Sequence, residues 1–181
     1  MRILAIDKAL NGAWSLFDSR TSRLLEHGWF SFDVKKYTFP EAVLEIEKLV
    51  ANLIKQYKVK YVAIEDIQLR LNAQSFKKLA QLQGVLVNLC EKHKLHYGLV
   101  APTRWQAYCK NYYTENGQER KFANTKELSI SYVKDVFDID TANDNLADAI
   151  CICQYTLMHQ ELIFGEASEN IHNQTKELKE N

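Results

Sequence analysis

Four carboxylate residues in this sequence have the types and spacing needed to hold a divalent metal ion. Asp7 ends the apolar run ILAID, and Glu65 ends a second apolar run, VAIE. Asp144 and Asp148 are four residues apart, which places them on one face of a helix. Carboxylate oxygens of this kind suit Mg²⁺ or Mn²⁺. Two such ions about 3.5 to 4 Å apart can activate a water and stabilise the leaving oxygen when a phosphodiester is hydrolysed.

Each acid also has a purely structural explanation. Asp7 could end a strand, Glu65 could pair with a lysine, and Asp144 could cap a helix. Acids at the ends of two very apolar strands are nevertheless costly unless something positive holds them. Four carboxylates in one place would also repel one another, and some would take up protons unless a cation compensated them. Taken together, the four acids predict a metal site.

The pattern of apolar residues predicts the elements that would position these acids. Three short strands, ILAID, AWSLFD and LLEHGWFSFD, are separated by turn residues and predict an antiparallel meander. Residues 40–57 predict an amphipathic helix that starts at Pro40. Three further elements are a buried strand that ends in Glu65, a helix over 75–94 and a strand that stops before Pro102.

The last part of the sequence predicts a loop followed by two helices. Residues 110–126 are polar, basic and rich in turn residues, so we expect a mobile loop there. Thr125 is expected to cap the helix ELSISYVKDVF, and Asn143 or Asp144 is expected to open the last helix.

The order of the elements predicts an α/β fold with a mixed five-stranded sheet and helices on both faces, which is the ribonuclease H-like architecture. The strands that end in Asp7 and Glu65 would lie parallel and roughly 5 Å apart, so that both acids can share one cation. We expect one nuclease domain over residues 1–164 and a disordered polar tail over 165–181.

Composition and charge limit the possible classes of protein. With 46% apolar and 25% charged residues and no secretory or membrane-spanning segment, the chain is expected to be a cytoplasmic globular protein. Its four cysteines lack the paired spacing of a zinc site and are expected to be buried thiols. The net charge is zero, but residues 66–127 carry ten basic against five acidic residues. This partition suits a nucleic-acid-binding face, although ordinary solvated helices also carry such charge.

Three segments resemble the RuvC family of Holliday junction resolvases: IDKALNGAW, VAIEDIQLRLNAQSFKKLAQLQGVL and DNLADAI. The middle segment is the most specific, because its A-I-E, N-A-x-S and K-L-x-Q-x-x-G follow the family's order and spacing. The glycine-poor first turn and the longer loop around Gly117 look more like the phage branch of the family. The resemblance implies a homodimeric Mg²⁺-dependent endonuclease, with Mn²⁺ as a substitute, that nicks branched DNA during recombination and repair. A phage-encoded enzyme would act in the bacterial cytoplasm.

The resemblance also implies roles for individual residues. Asp7, Glu65 and Asp148 match the first, second and last metal-binding acids. The family's third ligand position falls on Asn145, and we assign that role to the adjacent Asp144, with Asn145 as the alternative. The resemblance implies that Lys126 is a further catalytic residue, near the cut phosphate. It also implies DNA contacts at basic residues: Arg70, Lys77, Lys78, Arg104, Arg120, Lys121 and Lys126.

Two departures from the family affect specificity and assembly. The cellular enzymes have an aromatic residue after the second acid, but Asp66-Ile67-Gln68-Leu69 contains none. We therefore expect selection by DNA structure rather than by sequence, extending to forks and three-way branches. The predicted homodimer is consistent with an apolar stripe on the second helix, although such a stripe more often packs in the core: Leu79, Leu82, Val85, Leu86 and Leu89.

Two other classes of protein compete with the nuclease. One is a nucleotide-binding protein of the actin and sugar-kinase type, which needs glycine-rich phosphate loops. Lys8-Ala9-Leu10-Asn11 supplies no such loop, so we expect no nucleotide cofactor. The other is a DNA-binding module that keeps the fold without catalysis, and only a cleavage assay separates it from the enzyme.

Overall fold

The computed structural model describes residues 1–68, 72–117 and 120–159. Arg70 and the predicted tail over 165–181 lie outside the described residues. Five strands and five helices follow one another along these parts of the chain: β1 Arg2–Asp7, β2 Asn11–Asp18, β3 Arg23–Ser31, α1 Phe39–Tyr57, β4 Tyr61–Glu65, α2 Ala73–Lys92, β5 His96–Val100, α3 Pro102–Glu115, α4 Thr125–Phe137 and α5 Asp144–Met158.

The five strands form one mixed sheet in the order β3-β2-β1-β4-β5. The first three strands are an antiparallel meander, whereas β1 with β4 and β4 with β5 pair in parallel. Ile6 is in register with Ile64, so Asp7 and Glu65 end neighbouring strands at the same edge of the sheet. The predicted mixed five-stranded sheet is confirmed.

Helices cover the sheet on both faces, as predicted. Ile3, Ala5 and Ala63 belong to a core with α3, α4 and α5, whereas Leu4 and Ile6 point the other way into a core with α1 and α2. The alternation follows from the two-residue period of a strand. Because β1 and β4 are buried on both faces, their sequences are continuously apolar until the terminal acid.

One helix was missed by the sequence analysis. Residues 110–115, predicted as part of a mobile loop, belong to α3, which begins at Pro102. Proline both ends a strand and suits the first turn of a helix, because its missing N–H is not needed there. The buried face of α3 consists of Trp105, Cys109 and Tyr113, spaced four residues apart, rather than of aliphatic residues.

The cap of α4 also differs from the prediction. The side chain of Asn124, rather than Thr125, accepts a hydrogen bond from Glu127 N at 3.0 Å. Thr125 is the first residue of the helix. For α5, the structure selects Asn143 from the two predicted caps, because its side chain accepts a hydrogen bond from Leu146 N at 3.2 Å.

Two groups of apolar side chains lie in the interior. All four cysteines are buried free thiols, as expected. On α2, Leu82, Leu86 and Leu89 are buried against α1 and the sheet, so most of the apolar stripe packs within the protomer itself. Within the described ranges, no helix combines the length and the apolar character that a bilayer span requires.

Candidate active site

The four predicted ligand acids meet in one cavity of about 460 Å³, which we call the acidic cavity. Asp7 and Glu65 reach it from the ends of β1 and β4, and Asp144 and Asp148 reach it from the first turns of α5. Three elements far apart in sequence therefore bring the acids together. Lys126, from the first turn of α4, lines the same cavity.

Asp7 is the most deeply buried of these acids, with 7% of its surface exposed. Burial is the main reason that its pKa lies well above the usual value. The negative charges of Glu65 and Asp148 raise the pKa further, and the positive charge of Lys8 opposes them. A cation beside Asp7 would remove this penalty, because it favours the ionised carboxylate.

Asp148 is in a similar environment. Burial raises its pKa to about 7, and the charges of Glu65 and Asp144 add to the effect, whereas the Ser129 hydroxyl and Lys126 lower it. Its Oδ1 atom is buried and, among the described residues, has no hydrogen-bond partner. An unpartnered, buried carboxylate oxygen is a group that a bound cation would satisfy.

Glu65 is oriented by two neighbours. The indole Nε1 of Trp105 donates a hydrogen bond to its Oε1 at 3.2 Å. The ammonium of Lys8 donates to its backbone carbonyl oxygen, so that a side chain from the end of β1 is tied to the end of β4. Lys8 is only 3% exposed, which is unusual for lysine.

Asp144 is paired with Lys126 across the mouth of the cavity. Lys126 Nζ lies 2.5 Å from Asp144 Oδ2, and this contact raises the pKa of the lysine. The Lys126 side chain is 68% exposed, so it can move away from Asp144 without breaking the core. Asn145 lines the cavity as well, and both residues named for the third ligand position therefore stand at the site.

The donor set fits a divalent metal ion, because four carboxylates line the same cavity and one of them, Asp148, has a buried oxygen without a partner among the described residues. Within residues 1–68, 72–117 and 120–159, no three Asp, Glu, His or Cys side chains already surround a single point. Their present contacts explain this, since Lys126 holds Asp144 and Trp105 holds one oxygen of Glu65. Metal binding would require these carboxylates to turn toward the ion.

Five of the predicted DNA-contacting residues are described but lie outside the acidic cavity. Lys77 and Lys78 are exposed near the start of α2, and Arg104 is exposed in the first turn of α3, beside Trp105. Arg120 and Lys121 line a second cavity of about 480 Å³, which shares Thr125 with the acidic cavity. Of the predicted DNA-contacting residues that the structure describes, Lys126 is the one that lines the acidic cavity.

Arg120 is less available than the lysine beside it. Its guanidinium lies 3.3 Å from Asp135 Oδ2 and stacks over the ring of Phe122, 5.3 Å from the centroid. Among the described residues, Lys121 forms no salt bridge. It is exposed and lines the second cavity. The two neighbours therefore differ in how readily they can meet a phosphate.

Lys8 and Trp105 were not singled out as functional residues by the sequence analysis. A lysine immediately after a buried strand-ending acid was the available indication for Lys8. Trp105 gave no comparable indication, because the hydrogen bond to Glu65 joins residues 40 positions apart. Pairings of that range depend on how α3 packs, and α3 itself was not predicted.

The ribonuclease H-like sheet, with acids at the ends of β1 and β4 and on α5, defines this protein as a nuclease of that fold class. The family model for the crossover junction endodeoxyribonuclease RuvC matches residues 14–154. The chain therefore belongs to the RuvC family and is an enzyme of the class that cuts branched DNA. The matched residues include Glu65, Asp144 and Asp148 but begin after Asp7.

Solved resolvase structures share the fold. RuvC of Thermus thermophilus in complex with a Holliday junction substrate superposes with a TM-score of 0.69 at 15% identity, covering 90% of this chain and 96% of that one. The yeast mitochondrial Holliday junction resolvase gives 0.57 at 15% identity, with coverages of 96% and 83%. The fowlpox virus resolvase with Holliday junction DNA gives 0.55 at 14% identity, with coverages of 88% and 99%. A search of curated protein sequences gives no significant match.

Proposed function

We propose that this RuvC-family enzyme is a Mg²⁺-dependent endonuclease that nicks branched DNA, with Asp7, Glu65, Asp144 and Asp148 as the metal ligands. The observation that carries the proposal is the convergence of these acids, from three separate elements, in one cavity. The buried, unpartnered Oδ1 of Asp148 supports it, because the fold leaves that oxygen for a cation to satisfy. Asn145 remains the alternative to Asp144.

The chain's own residues position the reaction. Bound Mg²⁺ would supply an activated water and would stabilise charge on the leaving oxygen. Asp7 provides a rigid ligand because it is buried at the end of a central strand. Trp105 fixes the orientation of Glu65 through its indole N–H. Lys8 ties β1 to β4 and so maintains the spacing between Asp7 and Glu65.

Lys126 is proposed to contact the phosphate that is cut. Its long side chain is mostly exposed and is anchored at the start of α4, next to the acids. If Asp144 held a metal ion, the ammonium of Lys126 would be available to a phosphate oxygen. The same lysine would then neutralise Asp144 in the free enzyme and a phosphate in the complex.

The DNA contacts are proposed to select structure rather than sequence. Lys77, Lys78, Arg104 and Lys121 are exposed basic residues that suit phosphate contacts, which position DNA without reading its bases. Between Asp66 and Gln68, the described part of the segment after Glu65 offers no aromatic side chain to the cavity. Forks and three-way branches are therefore proposed as substrates beside four-way junctions.

The enzyme is proposed to act as a homodimer, because a four-way junction has two strands to be cut symmetrically. Most of the apolar stripe on α2 packs inside the protomer, so the contact between copies would use other surfaces. Analytical ultracentrifugation at micromolar concentration, with and without junction DNA, tests this. A monomer under both conditions would contradict the dimer.

A cleavage assay tests the proposed function. Synthetic four-way, three-way and fork substrates are incubated with the protein in Mg²⁺, in Mn²⁺ and in EDTA. We expect nicks near the branch point with either metal, no cutting in EDTA, and loss of cutting in Glu65→Gln and Asp7→Asn. Binding without cutting in both metals would favour the non-catalytic DNA-binding module. Cutting restricted to one short sequence would contradict structure selection.

A further inference from the structure

Trp29 is a large aromatic side chain that the fold leaves in solvent. It lies on β3, the edge strand of the sheet, and 65% of its surface is exposed. The other two tryptophans are held by the protein: Trp105 is 1% exposed, and Trp14 packs beside Tyr57 with ring centroids 6.4 Å apart. Burial of an indole would stabilise the fold, so its exposure at Trp29 needs another explanation.

The sheet register places Trp29 in the same row as the first metal ligand. Asp7 is in register with Ala13 on β2, and Ala13 is in register with Trp29 on β3. Residues directly opposite one another in an antiparallel pair point to the same face of the sheet. Neighbouring strands are about 4.8 Å apart, so Trp29 stands roughly 10 Å from Asp7.

The shared face is the one that carries the acidic cavity. Ala13 is completely buried in the core with α5, and the Ser15 hydroxyl donates a hydrogen bond to Ala149 O, so α5 lies over β2. Trp29 is one strand further out and remains exposed. Trp29 thus lies on the face of the sheet that α5 covers, and α5 carries Asp144 and Asp148.

The loop that follows β3 begins three residues after Trp29 and carries Lys35 and Lys36, both exposed, together with the acid Asp33. Phe32 N donates to Leu10 O at 3.0 Å, which holds the loop against the turn that follows Asp7. An exposed aromatic ring can bind an unpaired nucleotide by stacking on its base, a contact that tolerates any base sequence.

We propose that Trp29 stacks on a base of the bound branched DNA, close to the phosphate that is cut. The inference rests on the proposed function, since it presumes DNA at the acidic cavity. A separation of roughly 10 Å corresponds to about three nucleotide steps of 3.4 Å.

Stacking requires a base that is exposed, which separates branched from fully paired DNA. At a branch point or fork the bases are easily unstacked, whereas in a continuous duplex each base is covered on both sides. Trp29 should therefore strengthen binding to junctions and forks but not to plain duplex of the same length. A contact that only added general DNA affinity would act on both kinds of DNA equally.

Affinity measurements test the proposal in the Asp7→Asn background, which removes cutting. We expect Trp29→Ala to weaken junction binding by about 5- to 150-fold, the range for loss of one base–aromatic stack, with little change on duplex. Trp29→Phe should keep most of the affinity. Leu25→Ala is the matched control, because Leu25 is an exposed apolar residue on the same strand, 43% exposed, about 13 Å further along β3.

Tryptophan fluorescence provides a second readout that a purely structural role would not move. Trp29 is the solvent-exposed member of the three tryptophans, so junction DNA should quench its emission. In Trp29→Phe the quenching should disappear while binding persists. Equal affinity of Trp29→Ala and its parent for the junction, or equal weakening on junction and duplex, would overturn the proposal.

The possible outcomes separate this inference from the proposed function. If the enzyme cuts junctions and Trp29 variants behave like the parent, the stacking role is wrong and the nuclease assignment stands. If Trp29→Ala turns a dimer into a monomer without any preference for branched DNA, the indole serves contact between copies and the stacking role is again wrong. If the parent neither binds nor cuts branched DNA, both proposals fail.

Discussion

Asp148 has a carboxyl group whose usual charge the protein interior disfavours. Its pKa is raised to about 7, mainly by burial, and Asp7 is shifted in the same direction for the same reason. In the unfolded chain both groups ionise near the ordinary aspartate value. Between these pKa values, the folded protein therefore keeps protons on Asp148 and Asp7 that the unfolded chain releases. A bound cation would favour the ionised carboxylates and so lower the pKa values in the folded state.

The first prediction concerns stability without metal. From about pH 4 to about pH 7 the unfolded state binds fewer protons at Asp148 than the folded state, so the free energy of unfolding should fall as pH rises. The loss attributable to Asp148 should be on the order of 3 kcal/mol. Urea unfolding at a series of pH values in EDTA measures it, and Asp148→Asn should flatten the profile.

Asp138→Asn is the control for this experiment, because Asp138 is 93% exposed and pairs with Lys134 at the end of α4. It should leave the pH profile of the parent unchanged. Added Mg²⁺ should restore stability at neutral pH, since the ion favours the ionised acids. A stability that rises between pH 4 and pH 7 in EDTA would contradict the buried, uncompensated state of these acids.

The start of β2 lies very close to Asp7, one of the proposed metal ligands. A Cβ atom at Gly12 would lie 2.5 Å from the carbonyl oxygen of Asp7 and 2.6 Å from the ring of Phe30. Only glycine allows β2 to come this close to the end of β1. Gly84, in the middle of α2, has no atom within 4 Å of such a position and serves as a matched comparison.

The second prediction follows from these two glycines. Gly12→Ala should destabilise the protein by about 1 to 3 kcal/mol and reduce cleavage, because relief of the overlap displaces the backbone at Asp7. Gly84→Ala should stabilise it by up to about 1 kcal/mol through helix propensity and leave cleavage unchanged. Urea unfolding and junction cleavage measure both effects. Full cleavage activity in Gly12→Ala would show that the close approach of β2 at Gly12 does not position Asp7.

The third prediction concerns the start of α5. Asn143→Ala removes the side-chain cap that bonds to Leu146 N, which should cost about 1 kcal/mol and loosen the turn that carries Asp144. The Mg²⁺ concentration needed for half-maximal cleavage should rise. Thr38→Ala is the control, because Thr38 N and its hydroxyl bond to Glu41 at the start of α1, on the opposite face of the sheet. Thr38→Ala should lose a similar amount of stability but keep the Mg²⁺ requirement of the parent. An unchanged Mg²⁺ requirement in Asn143→Ala would contradict the prediction.

The elements that carry the acids were predictable because local patterns specify them. The runs that end in Asp7 and Glu65 are continuously apolar, and the four-residue spacing of Asp144 and Asp148 is a helical one. Helix α3 was missed, since its buried face is made of Trp105, Cys109 and Tyr113 among polar residues. The contacts of Lys8 and Trp105 with Glu65 depend on packing between distant segments, which no local pattern encodes.

At the scale of the whole molecule, a formal net charge of zero hides separate regions of opposite sign. Acids cluster in the interior of one cavity, while Lys77, Lys78, Arg104 and Lys121 are exposed on α2, α3 and the segment before α4. DNA binding should therefore depend strongly on salt despite the neutral total, because phosphate contacts release counterions locally.

The fourth prediction uses this salt dependence. Lys121→Gln should reduce the slope of the logarithm of the binding constant against the logarithm of salt concentration by about one. Arg120→Gln should reduce it by less, because that guanidinium is already paired with Asp135. Lys48→Gln on α1, where Lys48 pairs with Glu45, should leave the slope unchanged. Equal effects of the three substitutions would argue against a defined phosphate-binding surface.

Helix α5 combines two tasks whose timing during synthesis matters. It is the last described element to leave the ribosome, and it supplies both the centre of one core, with Ala147, Ile150 and Cys151, and two of the four acids. A nascent chain that has not yet reached α5 can neither complete that core nor assemble the proposed metal site. With the proposed ligands, an unfinished copy would not cut DNA, and cutting ability would arise only together with the finished fold.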